Sequence, residues 1–356
     1  MNNNALDAYI LYLYRKSDDR TFTEFLKTLP PGYKGMVFRE VEKDTIGRSG
    51  SNPTWVSSYI YDSTKSYYNE EEKSFDDETK TTKRMALYKE FDYDEPRAAY
   101  AEKIWSILGK NILPRCRVPD IDLVYKTDGG RGKVETISYR LLDKPTEDML
   151  MMSVILEFKY ANQREEIKSF CRIEELLECV KEGKYYRDKE NYMQLEEDII
   201  HAILLDCISN NGERHPKNWG IVINKVTGEH SLALFDHANS FRNIIMYQVG
   251  MVGQKWCTTY FCLDENYRNK KFLCGDMGDK VIEYIYEKYP QYVDSFMRNF
   301  ESGYPQFRQE LQLTQIYKDS TRTVQNIINN VYNKGKHIQR VLDGRGEIYD
   351  DWGLLF

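Results

Sequence analysis

Hydrophobic patterning changes period near residue 160, and this change limits the architecture of the chain more than any other feature. Before it, apolar residues fall in short β-branched and aromatic runs. Residues 35–41 (GMVFREV), 54–61 (TWVSSYIY), 84–91 (RMALYKEF), 121–125 and 134–142 read as strands. Asp128-Gly129-Gly130 reads as the hairpin turn between the last two, and 153–158 (SVILEF) reads as a short buried strand. One helix is predicted inside this part, over 95–108, with Pro96 in its first turn. The polar stretch 62–83 reads as a long exposed loop. After 160 the period becomes helical, over 170–182, 192–209, 279–288, 290–301 and 319–342. Two short helices are expected within 5–29, the second opening at Thr21-Phe22-Thr23-Glu24 and stopping at Pro30-Pro31. A mainly β segment followed by a mainly α segment predicts an α+β chain with two lobes. The expected divisions are a helical appendage over 1–30, a β-rich N-lobe over 31–160 and a mostly helical C-lobe over 161–356.

Composition supports a folded chain. At 356 residues it has length for about two domains. With 41 % hydrophobic and 30 % charged residues it is not a largely disordered protein. Its net charge of −6 gives no global electrostatic reason to bind nucleic acid, and no direct nucleic-acid binding is expected. No run approaches the ~18–20 apolar residues of a membrane span. The polar start Met1-Asn2-Asn3-Asn4 lacks the basic and apolar regions of a secretory leader, so a cytoplasmic protein without membrane insertion is expected. The seven cysteines are dispersed with no CxxC pair, which fits buried thiols and not a structural zinc site.

The stretch richest in chemistry runs from Asn210 to Ile223 (NNGERHPKNWGIVI). It follows an apolar helical run, IIHAILLDCI at 199–208, and leads into a strand, a turn at Thr227-Gly228, and a second strand at 231–235. Asp236 stands where that second strand ends. A polar loop between well-packed elements is where catalytic groups tend to sit. "GERHPKNWGIVI" followed by "LALFDHANSF" resembles the catalytic loop and metal-binding acid of the HipA-like kinases, and the D-R-H-x-x-N loop of phosphoinositide lipid kinases is similar. The resemblance implies a bilobal protein-kinase-like fold, ATP and Mg²⁺ as cofactors, and a Ser or Thr hydroxyl of a protein as substrate. It implies that Glu213 orients or deprotonates the attacking hydroxyl and that Asn218 and Asp236 hold Mg²⁺ on the phosphates. His215 would support the loop, and His237 the site from behind Asp236. Lys217 either touches the transferred phosphate or is simply solvated. One position departs from the family pattern: the acid is normally Asp. The extra methylene of Glu213 moves its carboxylate by about 1–1.5 Å, and a misplacement of ~1 Å can cost on the order of 100-fold in rate. A pseudokinase that binds nucleotide or a protein partner is therefore the alternative to an active enzyme.

Further residues follow from the same resemblance. Lys89 lies inside a β-run, where an unpaired lysine is unwelcome, and Glu102 lies in the helix that follows. The resemblance implies that Lys89 contacts the ATP phosphates and that Glu102 pairs with it. The small-residue loop at 47–53 (GRSGSNP) is a candidate phosphate cover through Gly47, Ser49, Gly50 and Ser51. It has neither GxGxxG nor GxxxxGK[ST], and an ordinary β-turn fits it equally. The adenine-reading hinge is expected after SVILEF, near Glu157 and Lys159. Many HipA-like kinases belong to toxin–antitoxin pairs, which implies an antitoxin-like or regulatory protein partner. Lipid or small-molecule phosphorylation is a third reading, disfavoured by the acidic balance and the lack of a basic membrane-facing cluster.

Overall fold

Strand-period runs in the first part of the chain do form a sheet, and helix-period runs in the second part form helices. The structure is a computed structural model. It describes residues 12–14, 21–29, 31–32, 34–43, 54–62, 68–69, 74–75, 85–89, 97–126, 133–139, 141–142, 146–160, 173–182, 189–211, 214, 216–241 and 278–342. The chain divides into two compact units, one of residues 1–103 and 119–140 and one of residues 104–118 and 141–356.

The first unit is built on a six-stranded sheet. Its strands are β1 (Tyr12–Tyr14), β2 (Lys34–Lys43), β3 (Thr54–Asp62), β6 (Met85–Lys89), β7 (Ile121–Lys126) and β8 (Lys133–Tyr139), in the order β1-β2-β3-β6-β8-β7. A separate two-stranded ribbon joins β4 (Tyr68–Asn69) to β5 (Ser74–Phe75) within the polar stretch. β2 through β8 pair antiparallel, as expected of the hairpin at 121–139. Alternation sorts the side chains: Ala86 and Tyr88 face a core with Val124, Ile137 and Tyr139, whereas Leu87 and Lys89 take the other face of β6. Helix α1 (Phe22–Lys27) starts with the reciprocal capping bonds of Thr21 and Glu24 and buries Phe25, Leu26 and Leu29 against Val37 of β2. The first of the two expected N-terminal helices is absent at 12–14. Those residues form β1, which pairs parallel with β2 from Tyr12↔Val37. The spacing of Tyr9, Ile10, Leu13 and Tyr14 mimics a helix, but the Tyr-Leu-Tyr run suits an edge strand equally well.

Helix α2 (Arg97–Ile112) contains the boundary between the units. In the second unit a three-stranded sheet has the order β11-β10-β9, with β9 at Glu147–Met151, β10 at Trp219–Asn224 and β11 at His230–Leu234. The segment 141–160, expected in the N-lobe, groups with this second unit because β9 pairs with β10. Residues 153–158 are not the expected strand. They lie in helix α3 (Met152–Tyr160), and the strand is the mixed sequence just before it. A short continuous apolar run does not distinguish a buried strand from a buried helix. The remaining helices are α4 (Ile173–Lys181), α5 (Lys189–Ser209), α6 (Gly278–Lys288), α7 (Pro290–Leu313), α8 (Gln315–Asp319) and α9 (Thr321–Leu342). α7 runs past the expected end at 301, through Pro305, because Phe300, Phe307 and Leu311 keep the buried stripe going.

Helix α5 is the centre of the second unit. Residues 198–209 are buried on every side, and α4, α6, α7, α9 and β11 pack around them. A helix that is apolar all round belongs in a core, so its few polar side chains must find partners there. Cys179 and Cys207 are buried and outside any disulfide, as expected, whereas Cys116 is half-buried. Among the described residues no helix is long and apolar enough to cross a membrane.

Candidate active site

The candidate loop begins where α5 ends. Asn210 adopts a left-handed backbone (φ 52°) and the Asn211 N–H returns to the Asp206 carbonyl (3.0 Å), which closes the last turn. Asn tolerates this conformation better than most residues. The Asp206 side chain is fully buried one turn earlier. Its Oδ1 accepts from Asn211 Nδ2 and Arg214 Nη2 (both 2.9 Å) and its Oδ2 accepts from Arg214 Nε (2.8 Å). The loop is thus folded back onto the helix that precedes it by one buried acid.

Arg214 carries the connection onward. Its Nη1 donates to the carbonyls of Asn218 (3.1 Å) and Phe235 (3.2 Å), and its Nη2 also donates to Nδ1 of His237 (2.9 Å). Arg214 is 1 % exposed. The two strands of the hairpin meet at the same place. Trp219 pairs with Leu234, the Phe235 N–H donates to the Asn218 carbonyl (3.1 Å), and the far end is closed by an Asx turn at Asn224. The hairpin therefore brings Asn218, one residue before β10, beside Phe235, one residue before Asp236. Asn218 is buried and Asp236 half-buried. The chain turns sharply after β11: Asp236 (φ 58°) and Phe241 (φ 58°) are both left-handed. Phe241 is a bulky residue in a costly conformation, held by burial of its ring and by its N–H to the Ser209 carbonyl (2.7 Å).

An aromatic layer backs the turn. The His237 imidazole stacks on Trp105 with ring centroids 3.5 Å apart and planes 8° from parallel. Trp105 Nε1 donates to Ser209 Oγ (3.1 Å), and the Arg214 guanidinium lies 5.2 Å from the Trp105 ring. Trp105, Ser209, Arg214 and His237 are all buried.

In the first unit, Lys89 and Glu102 form the expected ion pair at 3.0 Å. Glu102 is buried on α2 and Lys89 partly buried on β6. In the second unit, Lys217 is exposed. Glu157 and Lys159 lie within α3, so the expected hinge loses the strand end on which it was placed; a helix already uses its interior backbone groups in its own hydrogen bonds. Glu213 and His215 fall outside the described residues, as do Gly47, Ser49, Gly50 and Ser51. Among the described residues no three His, Cys, Asp or Glu side chains cluster as a ready cage for a metal. Asn218 and Asp236 offer an amide and a carboxylate, hard oxygen donors that suit Mg²⁺, an ion that commonly takes one or two protein oxygens and completes its shell with phosphate and water.

Asp206, Trp105 and the bracing role of Arg214 were not anticipated from the sequence. The signal for Asp206 was present: one acid inside IIHAILLDCI requires a buried partner, and the next cation along the chain is Arg214.

No protein-family model matches the sequence, and no curated protein matches it. The fold is similar to that of a solved kinase. The proinflammatory kinase CtkA of Helicobacter pylori matches at a TM-score of 0.54 and 12 % identity, over 86 % of this chain and 98 % of that one. HipA of Shewanella oneidensis MR-1, solved with HipB and operator DNA, matches at 0.48 and 10 % identity, over 86 % of this chain and 68 % of that one. The chain has the α+β, kinase-like fold.

Proposed function

We propose that this chain is an ATP- and Mg²⁺-dependent kinase of the HipA-like kind that phosphorylates Ser or Thr hydroxyls of a protein. The observation that carries the reading is that the β10–β11 hairpin sets the main chain of Asn218 beside that of Phe235, the residue before Asp236, with Arg214 tying both to the preceding helix. The Lys89–Glu102 pair supports it from the first unit: a buried acid holds a lysine ammonium on one face of a strand, as an anion-contacting lysine requires. Mg²⁺-ATP would supply the γ-phosphoryl group. The residues of the chain do the rest. Asn218 and Asp236 would hold the metal, Lys89 would contact the phosphates, and Glu213 would orient the acceptor hydroxyl and accept its proton. Catalysis of this kind is positioning and charge neutralisation. An antitoxin-like or other regulatory protein is the expected class of partner.

The second reading is a nucleotide-binding pseudokinase, favoured by Glu213 in the position of an aspartate. Transfer of labelled phosphate from ATP, measured on the purified chain beside Glu213→Asp and Asp236→Ala, separates the two. The kinase reading expects Mg²⁺-dependent transfer that Asp236→Ala abolishes. Stabilisation by ATP without transfer in either the unmodified chain or Glu213→Asp leaves the pseudokinase. Transfer undiminished in Asp236→Ala removes the assigned metal site.

A further inference from the structure

Arg214 has five N–H donors, and each has its own acceptor: both oxygens of Asp206, the carbonyls of Asn218 and Phe235, and Nδ1 of His237. A surface arginine is seldom saturated in this way, and a merely structural buried ion pair needs only two of the five. The other three donors go to the main chain at one candidate metal ligand, to the main chain one residue ahead of the other, and to the side chain one residue beyond it. A guanidinium is planar and rigid, so these acceptors are fixed relative to one another. It also accepts no hydrogen bond, so His237 Nδ1 must be the unprotonated nitrogen and Nε2 must carry the proton.

From this geometry we infer that Arg214 and His237 are a positioning pair for the metal site, acting through the main chain at Asn218 and on either side of Asp236. The inference rests on the nucleotide reading above and adds to it the residues that hold the two oxygen donors in register. It makes a distinction that a general bracing role does not. What matters at position 237 is an acceptor at the place of Nδ1, more than the ring. Asn places its Oδ1 near that point, whereas Leu fills space without accepting. At position 214 a lysine keeps the charge opposite Asp206 but has three donors for five acceptors.

The test is thermal unfolding of the full chain with a non-hydrolysable ATP analogue across a Mg²⁺ titration, for the unmodified protein, His237→Asn, His237→Leu and Arg214→Lys. The Mg²⁺ concentration for half-maximal stabilisation is expected to stay near the unmodified value in His237→Asn. It is expected to rise about tenfold or more in His237→Leu and in Arg214→Lys, the range found when groups that orient metal ligands are removed. An unchanged requirement in His237→Leu, or equal shifts in His237→Asn and His237→Leu, overturns the positioning role whatever happens to the melting temperature without ligand. If Arg214→Lys does not fold, the two His237 variants decide alone. No Mg²⁺ dependence in the unmodified chain overturns the nucleotide reading and this one with it. An independent readout needs no ligand: in ¹⁵N-histidine-labelled protein, the His237 signals, assigned by their loss in His237→Asn, should show an unprotonated Nδ1 and a protonated Nε2 at neutral pH. A protonated Nδ1 contradicts the pair.

Discussion

Replacing Asp206 with Asn tests how the candidate loop is held. The substitution keeps size and one acceptor oxygen, so Asn211 Nδ2 and one Arg214 donor can still be served. It removes the charge that balances the guanidinium of Arg214, a residue 1 % exposed. Breaking a buried pair by neutralising one partner costs about 3–5 kcal/mol, most of it the penalty of the uncompensated charge left behind. For a unit of this size each kcal/mol moves the melting temperature by about 2–4 °C, so a drop of about 6–20 °C is expected. The control is Asp148→Asn, whose partner Lys225 lies 3.3 Å away with side chains 66 % and 48 % exposed. That pair should contribute less than about 1 kcal/mol. Calorimetry on both variants gives the comparison, and the double variant Asp206→Leu/Arg214→Leu extends it. If the two side chains were only a charge pair, the double variant would regain most of the stability. Here Arg214 also serves two carbonyls and His237, so the double variant should stay at least about 2 kcal/mol below the unmodified chain. A loss in Asp206→Asn no larger than in Asp148→Asn, or full recovery in the double variant, would refute the argument.

Three further outcomes follow from the structure. Lys89→Met strands the buried Glu102 carboxylate, so it should lower both unfolding stability and ATP-induced stabilisation; adding Glu102→Gln should restore the first but not the second, and recovery of both would separate Lys89 from nucleotide binding. On α5, burial raises Asp198 to about 6 despite Arg115, and burial lowers His201 to about 4. Asp198 thus favours the folded state below about pH 3.8 and loses that contribution as pH rises to about 6, whereas His201 loses stability as pH falls from about 6.5 to 4. The two slopes oppose each other, so urea unfolding between pH 4 and 6 should show a falling stability in His201→Gln and a steeper rise in Asp198→Asn, each relative to the unmodified chain and on the order of 2–3 kcal/mol; parallel profiles in all three proteins would contradict this. Gly303 of α7 faces the Asn111 carbonyl so closely that a Cβ would overlap it, and Gly303→Ala should cost about 1–3 kcal/mol by urea titration; an unchanged midpoint would mean the helices part freely.

The general plan was legible in the sequence because burial and period agree over most of it. The alternation in 85–89 and 133–139, the Asx-closed hairpin at 219–234 and the apolar girdle of 198–209 each reflect one local rule acting alone. The sequence misled where two rules compete. SVILEF has the composition of a strand, yet it packs as a helix because the neighbouring 147–151 takes the sheet edge against β10. Tyr12–Tyr14 has helical spacing but completes an edge beside β2. At the candidate site, Asn218, Asp236, Lys89 and Glu102 were named through the resemblance of their surroundings to a kinase, and of these the structure shows the Lys89–Glu102 ion pair directly. Of the brace beneath them, the buried acid Asp206 and His237 left a trace in the sequence, but Trp105 did not, since it is separated from its partner Ser209 by 104 positions. Nothing local in the sequence specifies such a contact.

The claim on which the account turns is that Asn218 and Asp236 together hold one divalent ion against a nucleotide. Titration calorimetry with a non-hydrolysable ATP analogue, with and without Mg²⁺, measures it directly in the unmodified chain, Asn218→Ala and Asp236→Ala. The account predicts that Mg²⁺ tightens binding to the unmodified chain and that both substitutions remove this gain while metal-free binding persists. A Mg²⁺-dependent gain of undiminished size in both variants, or none in the unmodified chain, would contradict it.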